Sequence, residues 1–515
     1  MGDSGLRDLK ENVLRLPRTL KESLIGQWPP ASDRGRSQAV FSNLFLHLHP
    51  TRVHVRSLRF STTFGLGIVS AVLFAILTLT GIILMVYYKP STALAYDSVV
   101  DLHYMVPMGR LVRNVHRWAA HLMVASVLLH MVRVFYAGSF KAHRAMNWLV
   151  GIALLALTFG LSFTGYLLPW DQLGFWATTI GANIAASPRE LTDAVGITHV
   201  FDPGGFMRGL LLGAGSVGQE ALIRFYLLHV IVLPLALVAL VGIHFWRIRK
   251  DGGLGKPGVE PTTAGKGAAV AGTPPNEPAE APRKSYGLMA VVRDRSPATD
   301  VDPAETAPSW PYLLRYELLL TMATVLVCVV LGLLFDAPLK SPANPLVPEN
   351  PAKAPWYFLG LQEMVAYSAF TGGIGVPTLV ALALGLAPFL DRERTEAGLY
   401  FGGAPGRRVA LQTTVFALAA SAATVAIPVS FGWLRTWLPD IPQIVITFLN
   451  PGSLLAGGCA LWSLLTVYRT RSTRMGAIAL FTCFVVGFVV LTYVGTYLRG
   501  PDWAFYWTRS SWPVH

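Results

Sequence analysis

Four histidines lie within apolar segments of the sequence, where an ionisable or metal-binding side chain is costly and therefore a functional candidate. They form two pairs, His116 with His130 and His229 with His244, whose members are 14 and 15 residues apart. At about 100° and about 1.5 Å per residue, each pair lines one face of a helix, with its members about 21 to 22 Å apart in depth. Each of the two helices therefore offers one imidazole near each membrane surface.

Two helices that run in the same direction can hold two iron porphyrins between them, with one imidazole on either side of each iron. This arrangement pairs His116 with His229 near the outer surface and His130 with His244 near the cytoplasmic surface. An iron with two axial imidazoles has no open coordination position, so it passes electrons and does not bind oxygen. His121 points about 140° away from His116 around the helix and is predicted to pack or to form a hydrogen bond.

Glycines with the same spacing support the two-haem hypothesis, because a flat macrocycle against a helix needs positions without a side chain. Two pairs lie 14 residues apart, Gly67 with Gly81 and Gly151 with Gly165. Small residues also serve ordinary helix packing in membranes, which is the alternative interpretation. The cationic partners that haem propionates need are predicted to be Arg113 and Arg133.

The elements that must position these residues are membrane helices. Hydrophobic residues make up 53% of the 515 residues and charged residues only 14%, whereas charged residues make up about 25% of a typical soluble domain. Nine apolar segments are predicted to cross the bilayer, of which the eighth is the weakest. They are residues 61–88, 109–137, 147–168, 222–248, 312–335, 375–390, 408–432, 452–468 and 475–497. The predicted fold class is an all-α polytopic membrane protein, in which a four-helix di-haem bundle precedes a C-terminal helical unit.

Basic residues collect in the loops on one side of this nine-helix arrangement, as the positive-inside rule predicts for cytoplasmic loops. Arg247, Arg249 and Lys250 follow the fourth segment, for example, whereas the opposite loops carry few basic residues. The N-terminus is therefore predicted to be cytoplasmic and the C-terminus to lie outside, in a bacterial inner membrane. This topology explains the net charge of +13 better than nucleic acid binding does.

Composition divides the chain into four predicted regions. Residues 1–60 form a cytoplasmic segment, whose first 40 residues lack the apolar core of about 7 to 15 residues that would indicate a signal peptide. Residues 61–250 form the di-haem domain, and residues 311–515 form a second membrane domain. Residues 251–310, rich in Pro, Ala, Gly, Lys and Glu, are predicted to be a flexible cytoplasmic linker. Three cysteines in apolar segments are interpreted as packing residues: Cys328, Cys459 and Cys483.

The first four segments resemble cytochrome b of the quinol:cytochrome c oxidoreductases, particularly the cytochrome b6 branch. The resemblance rests on VHRWAAHLMVASVLLH at 115–130, FTGYLLPWDQLGFWAT at 163–178 and RFYLLHVIVLPLALVALVGIHFWRIRK at 224–250. The C-terminal half, usually a separate subunit IV in that branch, is here fused through the linker. The resemblance implies two non-covalent haems b. A covalent haem is not expected, because Gly65 stands where that branch has a cysteine.

The sequence APWYFLGLQE at 354–363 is similar to the PEWY motif of the family's outer quinol site. Trp356 and Tyr357 keep the aromatic pair, but Pro355 replaces the glutamate that the resemblance implies as the acceptor of a quinol proton. Glu363, on about the same helical face as Pro355, is either a substitute acceptor or a loop carboxylate paired with a cation. The remaining expected residues of the outer site follow the third segment, or end it: Tyr166, Pro169 and Trp170.

The resemblance also implies how electrons and protons move. Quinol is oxidised at the outer site and gives one electron to a separate Rieske-type iron–sulfur protein, while the other crosses the haem pair. Quinone is reduced at a cytoplasmic site near Arg249 and Lys250, with FLHLHP at 45–50 nearby. The two cations have an alternative interpretation as topology determinants only. The expected assembly is a homodimer within a multi-subunit complex, and its expected partners include cytochrome c or another electron carrier.

Two other functions stay open from the residues alone. A two-haem membrane anchor would pass electrons between quinone and a peripheral dehydrogenase, and it would need neither the second membrane domain nor the APWY motif. A transporter would use the histidines to relay protons and would bind no haem. The absorption of b-type haem in the reduced protein separates the transporter from both electron-carrying functions.

Overall fold

The computed structural model describes residues 10–20, 32–43, 46–251, 306–393 and 398–513. Within these residues nine helices are long and apolar enough to cross a membrane, which confirms the predicted fold class. We call them spans one to nine: Leu66–Tyr87, Gly109–Tyr136, Ala145–Leu167, Gln219–Lys250, Ser309–Leu334, Thr371–Leu390, Ala404–Trp437, Pro451–Thr470 and Thr473–Leu498. The weakest predicted segment, span eight, has 20 residues. At about 1.5 Å per residue it is about 30 Å long, enough to cross the hydrocarbon core.

Shorter helices and one small sheet lie between or before the spans. The helices are Asp33–Ser42, Phe60–Thr63, Ala95–Tyr104, Gln172–Ala186, Arg189–Ala194, Pro203–Leu212, Trp356–Val365 and Gln443–Phe448. The sheet pairs strands Arg52–His54 and Thr306–Pro308 in antiparallel register. The helices between spans three and four, and the helix between spans five and six, belong to loops predicted to lie on the outer side. These loops carry the sequence expected to form the quinol site.

The chain divides into two compact units. The smaller unit takes its described residues from Met1–Gly65, Ile243–Pro257 and Pro261–Met322, and the larger unit from Leu66–Gly242, Gly258–Glu260 and Ala323–His515. The four regions proposed from composition stay a prediction. Most of the predicted linker at 251–310 lies outside the described residues, which resume at Thr306.

Spans one and two of the larger unit pack through small and aliphatic side chains. Leu73 of span one and Ala119 of span two are buried in one cluster, together with Cys328 of span five. The hydroxyls of Ser70 and Ser126 lie 2.9 Å apart and connect the two spans by a hydrogen bond. This close approach fixes the rotation of span two, and therefore the direction in which its histidines point.

A buried charged cluster joins the ends of spans two, six and nine in the larger unit. Lys141 donates to Asp391 at 2.7 Å, and the Arg474 guanidinium lies 3.5 Å from the same carboxylate. Arg474 also donates to the carbonyls of Phe135 and Tyr136 at 2.9 and 3.1 Å. These contacts add side-chain donors to two carbonyls in the last turn of span two, where the regular helical hydrogen bonds end. Lys141 and Arg474, both on the predicted cytoplasmic side, therefore stabilise the fold through these contacts.

The pairing of His49 with Glu317 in the smaller unit predicts a pH-dependent stability of the segment around His49. Their Nε2 and Oε1 atoms are 3.0 Å apart. Burial and the charge of Arg249 lower the pKa of His49. The hydrogen bond and charge of Glu317, with the carbonyl of Leu46, outweigh them, so the pKa is raised overall. A raised folded-state pKa means that the contribution is fully present below about pH 6.5 and is lost as pH rises through the folded value.

We expect residues 46–58 to exchange their amide hydrogens several-fold faster, after correction for intrinsic rates, once the pH passes the folded pKa of His49. The expected loss is up to about 1 kcal/mol, because the pair is partly solvated. Glu317→Gln should remove most of this pH dependence. An identical pH profile in the variant and the wild-type protein would show that the pair does not stabilise the segment.

Candidate functional site

The two histidines assigned to the outer haem face each other within the larger unit. The ring centroids of His116 and His229 are 6.3 Å apart, with an angle of 71° between the ring planes. A metal between two imidazoles needs about 2 Å for each metal–nitrogen bond and about 1 Å from each nitrogen to its ring centre, about 6 Å in total. No group of three or more His, Cys, Asp or Glu side chains in the described ranges is placed to hold a metal ion. An iron held in a porphyrin needs only two protein ligands, and this pair fits that requirement.

The hydrogen bonds of His229 determine which of its ring nitrogens is available to a metal. Its Nδ1 atom lies 3.1 Å from the carbonyl oxygen of Leu161 and 3.3 Å from the hydroxyl of Thr164. A carbonyl only accepts, so Nδ1 carries the proton and donates it. In the neutral ring Nε2 then keeps its lone pair, which is the arrangement of a metal-ligating histidine whose other nitrogen is held by the protein.

His116 is held in the same way from span one. Its Nδ1 atom lies 2.8 Å from the hydroxyl of Thr80, and that hydroxyl donates to the carbonyl of Ile76 at 2.7 Å. Because a hydroxyl has one hydrogen, Thr80 accepts the hydrogen bond from Nδ1. Nε2 of His116 therefore also keeps its lone pair, and both rings present the same atom as a ligand.

Thr80 and Thr164 are functional candidates that were not predicted from the sequence. Each directly precedes one of the predicted glycines, so the pairs Thr80-Gly81 and Thr164-Gly165 repeat in spans one and three. Thr164 also donates to the carbonyl of Gly160, one turn earlier, as Thr80 does to its own preceding turn. The repeated Thr-Gly pair is visible in the sequence. It predicts a hydrogen bond to a histidine only when the span that packs against it is known.

Three of the four predicted glycines border the ring of a predicted ligand. A Cβ atom added at Gly81 would lie 3.3 Å from Cε1 of His116, and one added at Gly67 would lie 3.4 Å from Cε1 of His130. At Gly165 the distance to Cε1 of His229 would be 2.5 Å, closer than side chains tolerate. Gly151 is partly buried in span three, and its association with a ligand stays a prediction.

Of the two proposed inner ligands, His130 belongs to the larger unit and His244 to the smaller one, so their pairing stays a prediction. Both predicted propionate partners, Arg113 and Arg133, belong to the larger unit. Arg133 is buried near the end of span two. Arg113 donates to the carbonyls of Ala337 and Pro338 at 2.9 and 2.7 Å. A guanidinium has five N–H groups, and among the described residues these two carbonyls occupy two of them, which leaves three for an anion such as a propionate.

His121 is not a simple packing residue, because it binds the APWY motif. The indole Nε1 of Trp356 donates to Nδ1 of His121 at 3.1 Å. The ring of Tyr357 has its centroid 5.9 Å from that of His121. Span two therefore carries the candidate outer haem ligand, His116, on one face and a polar contact to the motif on another.

Tyr357 packs between spans two and three. Its ring centroid is 6.4 Å from that of Phe159, and its hydroxyl is hydrogen-bonded to Ser162. Burial raises the pKa of this hydroxyl, while the hydrogen bond of Ser162 and the charge of Arg117 oppose the rise. The Arg117 guanidinium lies 5.6 Å from the ring centroid of Tyr166, one turn beyond Ser162. We call the resulting group the aromatic cluster: Arg117, His121, Phe159, Tyr166, Trp356 and Tyr357.

Trp170, another residue expected at the outer site, has the contacts of a packing residue. Its backbone is left-handed, with φ of 51°, and its N–H donates to the carbonyl of Leu167 at 2.9 Å. Its side chain packs against a buried group that includes Leu167 and Phe225. Pro169, immediately before it, is partly buried. The contacts of Trp170 place it where the chain turns from span three into the following helix.

Glu363 is fully buried and surrounded by hydrogen-bond donors. Arg499 donates from Nε at 2.9 Å and from Nη2 at 2.5 Å, while Trp503 Nε1 and the Tyr367 hydroxyl each lie 3.0 Å from the carboxylate. The geometry favours a carboxylate paired with a cation over a substitute proton acceptor. Arg499 and Trp503 belong to the GTYLRGPDWAFYW segment at 495–507, to which the sequence alone assigned no chemistry.

The cations expected at the inner quinone site lie in the smaller unit. Arg249 donates from Nη1 to the carbonyl of His47 at 2.5 Å, and its guanidinium lies 5.7 Å from the ring centroid of Phe41. The Lys250 ammonium lies 5.2 Å from the ring centroid of Trp246. The structure thus brings Arg249 to the FLHLHP segment, as expected from the sequence.

Known proteins resemble this chain in both sequence and fold. A family model described as cytochrome b/b6/petB matches residues 53–252. Cytochrome b6 of Heliobacterium mobile is 41% identical over 204 residues, which cover 40% of this chain and 88% of the relative. Cytochrome b6 of Prochlorococcus marinus strain AS9601 is 42% identical over 187 residues, which cover 36% of this chain and 80% of the relative.

A solved structure extends the likeness beyond the first four spans. It is described as a hyperthermophilic respiratory Complex III, and the match covers 84% of this chain and 91% of that chain, with a TM-score of 0.54. The sequence identity is 24%, so this likeness concerns the fold alone. The four candidate haem ligands all lie within the part of the chain that matches the family model.

Proposed function

The chain belongs to the cytochrome b/b6 family, and we propose that it is the membrane subunit of a quinol:cytochrome c oxidoreductase. It is a multi-pass membrane protein, and its family implies haem b. In the proposed reaction a quinol gives up two electrons and two protons at an outer site. A Rieske-type iron–sulfur protein takes one electron, and the other is used to reduce quinone on the cytoplasmic side. The observation that carries the proposal is the facing pair of His116 and His229, each with its Nδ1 atom engaged.

We assign two non-covalent haems b, each with two histidine ligands. His116 and His229 would hold the outer haem, and His130 and His244 the inner one, with Arg113 and Arg133 as partners of the propionates. Haem b bound in this way supplies one-electron transfer without an open coordination position. The hydrogen bonds that Nδ1 of His116 and Nδ1 of His229 donate to Thr80 and to the Leu161 carbonyl orient the two outer rings and increase the basicity of Nε2.

The aromatic cluster is the proposed outer quinol site. Trp356, Tyr357 and Tyr166 supply flat apolar surface for a quinol ring, and Tyr357 is buried away from water. Arg117 places a positive charge beside the phenol rings, where an oxygen that loses its proton gains negative charge. Glu363 is fully occupied by its four donors, so its proposed role here is to hold the helix Trp356–Val365 in place.

The proposed quinone-reducing site lies near Arg249 and Lys250 on the cytoplasmic side. Their cations favour an oxygen that gains negative charge, and His47 and His49 of the neighbouring segment are titratable groups close to Arg249. With the N-terminus cytoplasmic in a bacterial inner membrane, protons would be released outside and taken up inside. The expected partners are the iron–sulfur protein, cytochrome c or another carrier, and a second copy of this chain.

The test is to purify the intact complex and to follow electrons from a short-chain quinol. We expect two b haems per chain by the pyridine haemochrome assay, and quinol-dependent reduction of cytochrome c that requires the iron–sulfur protein. Absence of haem would reject every electron-carrying function. Haem that is reduced by quinol, without electron delivery to an iron–sulfur protein, would instead favour a two-haem anchor for a peripheral dehydrogenase.

A further inference from the structure

The tautomer of His121 is determined by its contact with Trp356. An indole N–H donates and never accepts, so Nδ1 of His121 accepts the 3.1 Å hydrogen bond with its lone pair. In the neutral imidazole the proton is then on Nε2. No residue in the described part of the chain accepts a hydrogen bond from this Nε2–H. His121 therefore presents an unused donor beside Trp356 and Tyr357.

The environment of this donor is mainly aromatic. The ring centroid of Trp118 lies 5.8 Å from that of His121, and the ring centroid of Tyr357 lies 5.9 Å away. The nearest cation on the same helix, Arg117, faces the Tyr166 ring and has no acceptor to offer. His121 is partly buried, and an oxygen of a ligand bound beside it would give this donor an acceptor.

Pro355 contributes to the same arrangement. It directly precedes the helix Trp356–Val365, with φ of −51° and ψ of 149°, so its ring fixes φ where the helix begins. Trp356 is the first residue of that helix, and its indole reaches His121 from this fixed position. Pro355, which stands where the resemblance implies a glutamate, thus fixes the start of this helix. Trp356 at that start donates to His121 and so determines its tautomer.

We propose that His121 is a positioning residue of the outer site, whose Nε2–H donates a hydrogen bond to a ring oxygen of the bound quinol or quinone. The inference rests on the proposed function and specifies how that site recognises its substrate. A p-quinone has two oxygens on a flat ring, so one oxygen can meet His121 while the ring packs on the aromatic cluster. Both a quinol hydroxyl oxygen and a quinone carbonyl oxygen can accept this hydrogen bond, so it holds the ring to a similar extent before and after oxidation and acts mainly on KM.

Three substitutions separate the two nitrogens of His121. His121→Gln keeps a donor near the position of Nε2, His121→Asn keeps an acceptor near the position of Nδ1, and His121→Phe keeps only an aromatic ring. We expect the Asn and Phe variants to raise the KM for a short-chain quinol about tenfold, as the loss of one hydrogen bond predicts. The Gln variant should stay within a few-fold of the wild-type KM, and kcat should change less than KM in all three.

The measurement uses the intact complex, with haem content and the reduced spectrum recorded for each variant to show that it is folded. Equal KM values in the Asn and Gln variants, or a fall in kcat at unchanged KM, would overturn the positioning role. If the wild-type complex reduces its haems with quinol and His121→Phe has the same KM, the inference is wrong and the proposed function stands. A wild-type complex with no quinol oxidation would overturn both.

Discussion

Replacing His229 by leucine is expected to remove the outer haem and to leave the inner one, so that haem content falls from two per chain to one. The leucine has no atom that can ligate iron, and a haem held by His116 alone would lose one of its two axial bonds. The adjacent groups that orient His229, the Leu161 carbonyl and the Thr164 hydroxyl, already have other hydrogen-bond partners within span three. The helix should therefore form normally in the variant. The pyridine haemochrome assay gives the haem content, and a redox titration shows which component is lost.

The matched control is His199→Leu, which changes an exposed histidine outside the spans. We expect this variant to keep both haems and both redox components. His116→Leu, on the opposite side of the same proposed iron, should lose the same component as His229→Leu. If the two variants lost different components, or if neither lost a haem, the pairing of His116 with His229 would be wrong.

The candidate haem ligands could be proposed from the sequence because they follow a simple geometric rule. Residues 14 or 15 apart on a helix share a face, and apolar runs of about 20 residues are recognisable as membrane spans. The family resemblance, now confirmed, depends on the same segments. Spacing and motif similarity are properties of single segments, so they can be recognised without knowledge of how the spans pack.

The residues that were missed depend on contacts between distant parts of the chain. Thr80 acquires its role from His116, 36 residues away, and His121 from Trp356, 235 residues away. His121 was predicted to point away from His116 around span two, but periodicity does not identify the helix that covers that side. Glu363 likewise receives hydrogen bonds from Arg499, which lies 136 residues further along the chain.

Replacing Glu363 by glutamine is expected to destabilise the larger unit by about 3 to 5 kcal/mol, because it leaves the buried guanidinium of Arg499 without its counter-charge. The Arg499 side chain is 9% exposed and that of Glu363 is 0% exposed. Burial lowers the pKa of Arg499, but its ion pair with Glu363 raises it overall, so this cation stays charged. Thermal unfolding of the detergent-solubilised complex, followed by loss of the haem spectrum, measures the change.

The control is the double variant Glu363→Gln with Arg499→Gln, which removes the unpaired cation as well as the carboxylate. It should be more stable than Glu363→Gln alone, since neighbouring residues in one ion pair have non-additive effects. The same experiment decides between the two roles considered for Glu363. A variant that keeps wild-type stability and both haems but loses quinol oxidation would identify Glu363 as the proton acceptor. Loss of stability that the second substitution restores would identify it as the residue that anchors the C-terminal segment beneath the outer site.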